Sequence, residues 1–133
     1  MMGAEEKVQM GFIGVGGRGT SHLRTMLEIP GVEITWVCDI DPTRLESAAR
    51  LVEGKTGKRP SATENHKKVL AAKEVAGVLI ATPCDVHAPL YLDTIAAGKD
   101  LYAEKPMCIT VAECDAIVKA AEKSKSIVQV GFQ

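Results

Sequence analysis

Apolar residues along the chain recur in two periods that alternate from one end to the other. Val8 to Ile13 is an apolar-rich run ending in glycines, and it predicts a buried strand. Gly19 to Glu28 follows with helical spacing. Leu23, Met26 and Leu27 share one face, and the helix stops at Pro30-Gly31. Glu33 to Cys38 is rich in β-branched residues and predicts a second strand. Asp41-Pro42 reads as an N-cap with proline at the first helical position, and behind it Leu45, Ala48, Ala49 and Val52 form one apolar stripe. Gly54 is the expected stop of that helix. Lys55 to Asn65 is polar and predicts a loop with a short edge strand near Ser61–Ala62. A short helix over Lys67–Ala72 precedes a third strong strand, Ala76–Ala81. Val86 to Ala97 predicts a helix with Pro89 in its first turn and Gly98 at its end. Asp100–Ala103 is a short strand. Thr110-Val111-Ala112-Glu113 is a capping box ahead of the stripe Cys114, Ile117, Val118 and Ala121. Ile127 to Val130 is the last strand.

Near-continuous apolar strands separated by amphipathic helices call for a parallel sheet covered on both faces. Right-handed crossovers make it doubly wound, a Rossmann-type α/β fold with strand order 3-2-1-4-5-6. The 133 residues suit one domain spanning 1–133, and a 46% hydrophobic content supplies its core. A charged fraction of 25% excludes disorder, and 16 Lys+Arg against 17 Asp+Glu argue against a nucleic-acid surface. No apolar run approaches the roughly 18 residues of a membrane helix. Met1 to Lys7 lacks the apolar core of a signal peptide, so a cytoplasmic protein is expected. Cys38, Cys84, Cys108 and Cys114 make no C-x-x-C pair, and His22, His66 and His87 do not stand near them at zinc spacing. Reduced core cysteines and no metal site are expected.

Gly14-Val15-Gly16-Gly17-Arg18-Gly19 matches G-x-G-x-x-G, and it stands where that motif has meaning, between a strand and the helix it opens. Gly14 allows the tight turn. Gly16, with Gly17 beside it, lets the backbone approach a pyrophosphate. Gly19 lets the helix pack close on the strand. Arg18 reads equally as a pyrophosphate contact or an exposed loop arginine. Asp39 ends the second strand, 20 residues past Gly19 (39 − 19 = 20), where a carboxylate accepts from ribose hydroxyls and repels a 2′-phosphate. The expected cofactor is therefore NAD rather than NADP, with Arg44 within reach of the same area.

Ligands of such sheets sit beyond the carboxyl ends of the strands. Two loops emerge there: Thr82-Pro83-Cys84-Asp85-Val86-His87 and Glu104-Lys105-Pro106. Lys105 has two readings. One is a lysine that holds a substrate hydroxyl and stabilises a developing alkoxide, and the other is an ordinary surface lysine. Glu104 either orients that ammonium or caps a loop, and it joins the cofactor-binding candidates. Pro106 restricts Lys105 to extended backbone and allows a cis bond. His87 starts a helix, with a packing role as the alternative to a ligand contact.

FIGVGGRGTSH, VCDID, ATPCDVH, EKP and the terminal VGFQ, in this order, closely resemble the N-terminal domain of the glucose–fructose oxidoreductase, inositol dehydrogenase and rhizopine-catabolism (Gfo/Idh/MocA) family. The resemblance covers essentially the whole chain from Val8. It implies a Rossmann domain for NAD or NADP, and hydride transfer at a carbinol of a sugar, cyclitol or related polyol. It gives Lys105 a catalytic role, commonly beside a cis Lys–Pro bond. It makes Thr82, Pro83 and His87 line the cofactor site. Cys84 stands where many members have Asn, and Gln133 also replaces an Asn. The stretch Gly14 to His22 is similar to a branch containing NAD-dependent N-acetylgalactosaminidases, so a glycosidase that oxidises, eliminates and reduces is the alternative. A non-catalytic nucleotide sensor is another. Family members continue into a second domain that supplies most substrate contacts. The expectation is that this chain lacks that domain, binds cofactor without turnover, and exposes a junction surface through which it self-associates.

Overall fold

The computed structural model describes residues 6–131. Residues 1–5 and the Phe132-Gln133 end of the VGFQ motif lie outside the described residues. The elements are β1 (Val8–Ile13), α1 (Gly17–Leu27), β2 (Val32–Cys38), α2 (Pro42–Thr56), β3 (Ser61–Thr63), α3 (His66–Ala71), β4 (Gly77–Ile80), a 3-10 turn (Cys84–Val86), α4 (His87–Ala96), β5 (Asp100–Glu104), α5 (Val111–Glu122) and β6 (Val128–Gly131). The strands form one parallel sheet in the order β3-β2-β1-β4-β5-β6. This is the doubly wound Rossmann order expected from the alternation of strands and helices.

Successive strand residues point to opposite faces, so each strand feeds two cores. Phe12 and Leu79 enter the layer beneath α1 and α2, with Leu23, Val37, Ala48, Ala49 and Val52. Ile13, Val78 and Ile80 enter the layer beneath α3, α4 and α5, with Val69, Tyr91, Leu101 and Ile117. Each of the buried Val, Leu, Ile and Phe side chains contributes about 1.5–3 kcal/mol. Chain polarity then places the β1–α1, β2–α2, β4–α4 and β5–α5 loops along one edge of the sheet.

Four details differ from the sequence pattern. The helix after Asp41 runs through Gly54 to Thr56, and Gly57 takes the left-handed C-cap at φ 79° with its N–H on the Glu53 carbonyl. The α5 stripe is narrower than expected. Ile117 is buried, but Val118 is exposed, because α5 packs on one side against α4 and has no helix on the other. The cysteines are free but not all in the core. Cys38 is buried, Cys84 is exposed, and Cys108 and Cys114 lie between. Finally, an apolar groove of about 240 Å³, lined by Val8, Met10, Gly77, Tyr102 and Ile127, opens on the sheet face. It sits toward the amino ends of the strands rather than at the carboxyl edge.

Candidate functional site

The site is built from four loops that the backbone locks together. Gly14 sits at φ 92°, and a Cβ there would lie 2.6 Å from the Ala81 carbonyl oxygen. Only glycine fits that turn. Its N–H donates to the Cys38 carbonyl at 2.8 Å, while the Ala81 N–H reaches Ile13 at 2.9 Å. A Cβ on Gly19 would fall 2.0 Å from the Gly14 carbonyl oxygen. The close approach that needs this glycine is thus to the turn itself, with the Ala81 methyl next nearest at 3.5 Å.

Helix α1 begins at Gly17, two residues before the pattern suggested, so its first turn lies inside the glycine motif. Gly16 is its N-cap, makes no side-chain cap bond, and is followed by no acidic residue in the first turn. A Cβ on Gly17 would meet nothing within 4 Å, and the nearest atoms to one on Gly16 belong to the Arg44 guanidinium, from 3.4 Å. The first-turn amides therefore have neither a side-chain partner nor a steric cover, which suits an anion at the positive end of the helix dipole. The residues present fit the phosphates of a dinucleotide.

Asp39 is half-buried at the end of β2. Its Oδ2 accepts from the Val15 N–H at 2.9 Å and its Oδ1 from the Asp41 N–H at 2.9 Å. One carboxylate thus ties the glycine turn to the start of α2, and each oxygen keeps a lone pair for a further donor. Arg44, exposed and 3.8 Å from Asp41, lies over Gly16.

At the end of β5, Glu104 is nearly buried and faces α1. Its Oε1 accepts from His22 Nε2 and lies 3.3 Å from Arg18 Nε. Burial pushes the carboxyl upward, but the His22 bond, the Arg18 charge and the Lys105 N–H outweigh it and hold the group below its ordinary value. His22 also meets the Tyr102 ring edge-on at 5.7 Å. Glu104 Oε1 thus faces two side chains of α1, both near the glycine motif. His22 was not among the residues singled out for a role. The available signal was its spacing from Arg18, one helical turn along α1.

Lys105 is exposed, and the Lys105–Pro106 bond is cis. Thr82 packs its methyl under the Gly14 turn, and its hydroxyl is buried without a partner. Pro83 and Cys84 are exposed beside it. His87, expected to line the cofactor site, is 1% exposed. Its Nδ1 lies 2.7 Å from the Pro106 carbonyl oxygen and its Nε2 3.0 Å from that of Thr82. Both ring nitrogens face protein, so the ring is closed to a ligand. Among the described residues no three His, Cys, Asp or Glu converge as metal ligands, and no helix is long and apolar enough to cross a membrane.

The family model described as "Oxidoreductase family, NAD-binding Rossmann fold" (GFO_IDH_MocA) matches residues 8–132. The chain belongs to this family. Among curated relatives, a Glycosyl hydrolase family 109 protein of Shewanella pealeana is 35% identical over 124 residues, 90% of this chain and 27% of its own length. An alpha-N-acetylgalactosaminidase of Shewanella oneidensis is 36% identical with the same coverage. The chain thus spans about a quarter of the length of these Gfo/Idh/MocA relatives. Among solved structures, myo-inositol dehydrogenase from Lactobacillus casei in complex with NAD(H) and myo-inositol superposes with a TM-score of 0.85 at 26% identity. That match covers 95% of this chain and 37% of the other.

Proposed function

We propose that the chain holds NAD across the carboxyl ends of β1, β2, β4 and β5. The protein to which this domain contributes would transfer hydride between that cofactor and a carbinol of a sugar, cyclitol or related polyol. The observation that carries this reading is the uncapped glycine start of α1 facing the Asp39 carboxylate. The amides around Gly16, Gly17 and Gly19 bind the pyrophosphate, with Gly14 shaping the turn and Arg18 adding charge from the next helical position. Asp39 accepts from the adenosine ribose and disfavours a 2′-phosphate. Thr82 and Pro83 line the opposite wall. Bound NAD supplies the hydride acceptor. Lys105 donates to the substrate oxygen and stabilises negative charge that develops there. Glu104 supports the site by holding Arg18 and His22 in place.

Calorimetric titration of the chain with NAD and NADP tests the cofactor half. NAD binding more tightly is the expected result. Absent binding, or tighter NADP, overturns it. The chain alone is expected to bind without turning over polyols, since its relatives are about four times longer by coverage. In a longer chain that carries it, Lys105→Ala should remove most turnover while leaving NAD affinity in place. Unchanged turnover would remove Lys105 from the catalytic role, whereas a longer chain that turns over nothing and keeps its response to NAD in Lys105→Ala would favour a nucleotide sensor.

A second reading has its own observation. Arg18 and His22, both in the stretch Gly14 to His22, converge on Glu104, and curated relatives carry the N-acetylgalactosaminidase name. Cleavage of an aryl N-acetylgalactosaminide by the longer chain, with no net NADH formed, would favour a glycosidase over a dehydrogenase.

A further inference from the structure

We propose that His87 is a positioning residue for Lys105. Its ring is a crosspiece that fixes the spacing between the loop after β4 and the turn after β5. The inference rests on the reading of Lys105 given above. Three observations carry it.

Lys105 is exposed, so its own side chain has little packing to hold it. Its neighbour Pro106 has no N–H, which leaves the Pro106 carbonyl as that residue's one backbone handle. His87 Nδ1 takes that handle at 2.7 Å. On the other side of the same ring, Nε2 faces the Thr82 carbonyl at 3.0 Å, and the residue after Thr82 is again a proline without a donor. The two loops thus meet through one side chain.

The ring has little freedom to do anything else. It is 1% exposed, and Tyr91, fully buried, tilts against it with ring centroids 6.1 Å apart. A neutral imidazole carries one N–H and pairs one carbonyl at a time, whereas the doubly protonated ring pairs both. In the neutral ring one loop is hydrogen-bonded and the other is held by packing alone, and the doubly protonated ring bonds both. The residue that matches a cofactor-site position in the family pattern thus acts on the site from below.

The test uses the isotopically labelled chain, with His87→Phe keeping the ring volume without donors and His87→Gln keeping an amide donor. In the unaltered chain, an imidazole N–H of His87 should exchange slowly with water and couple to a backbone carbonyl. In His87→Phe the amide signals of Cys84, Lys105 and Met107 should move together while those of β2 and β3 stay. NAD affinity should fall through the shifted Thr82–Pro83 wall, since removing the Lys105 side chain itself is expected to leave it in place. His87→Gln should recover part of both changes. Freely exchanging ring protons, or Lys105 and Met107 signals unmoved in His87→Phe, overturn the proposal. Where His87→Phe does not fold, the ring-proton measurement and His87→Gln decide. A chain that binds no NAD at all would sink the cofactor reading, and the amide signals would still decide the role of His87.

Discussion

Helices α1 and α2 leave the carboxyl ends of adjacent strands, yet they begin in opposite ways. α2 closes itself. Asp41 accepts from Thr43 at 2.8 Å and from Arg44 at 3.3 Å, and Pro42 removes a third donor. The start of α3 is capped by Asn65 and that of α5 by Thr110. α1 has glycine where α2 has aspartate, and its first-turn amides find no side chain. Capping contributes about 1 kcal/mol, and this chain uses it repeatedly. α4 also lacks a side-chain cap, but it is entered from the 3-10 turn Cys84–Val86, whereas α1 starts from an open glycine loop. On the proposed reading, that open start is where an outside anion would complete the helix.

The contrast can be broken from its largest effect downward. Gly19→Val drives a side chain into the Gly14 carbonyl, and urea denaturation should show a loss of about 3 kcal/mol with NAD binding abolished. Gly16→Asp gives α1 the cap that α2 already has. Its φ of −74° accepts any residue. Thermal unfolding should show a stability gain of a few tenths of a kcal/mol. NAD affinity should fall at least about a hundredfold, since a carboxylate would occupy the phosphate position. A variant that is stabler and still binds would end the argument. Asp41→Ala is the mirror experiment: about 1 kcal/mol less stable, with NAD affinity unchanged.

The smallest effect concerns Glu104. Its folded-state pKa lies below the ordinary value, so its contribution is present above the usual carboxylate range and is lost as pH falls through the depressed value. The stability gap between the wild-type chain and Glu104→Gln should be open at neutral pH and close on acidification. A pH-independent gap would mean that the Arg18–Glu104–His22 contacts do not hold charge.

Strand order and the Asp39 position were legible because each depends on local pattern: apolar runs, glycine spacing and the acid at a strand end. The misses are non-local. Gly54 and Gly57 are both glycines near a helix end, and only the folded backbone shows which takes the positive φ. The Glu104–His22 contact joins residues 82 apart, and no spacing rule connects them. His87 looked available because the motif places it near the ligand. Its burial comes from Tyr91 packing beside it and from two carbonyls that belong to other loops.

Asp39 has a consequence for how the cofactor preference of such a chain could change over generations. The carboxylate that would exclude a phosphorylated ribose is also the acceptor for the Val15 and Asp41 amides. A substitution that removes both acceptor oxygens releases both amides at the same stroke, and Asn keeps one acceptor for the two. A lineage moving toward NADP would first have to acquire replacement acceptors for the glycine turn. On the proposed reading, preference for NAD would be tied to the fold, and a redesign would begin with the turn and end with the aspartate.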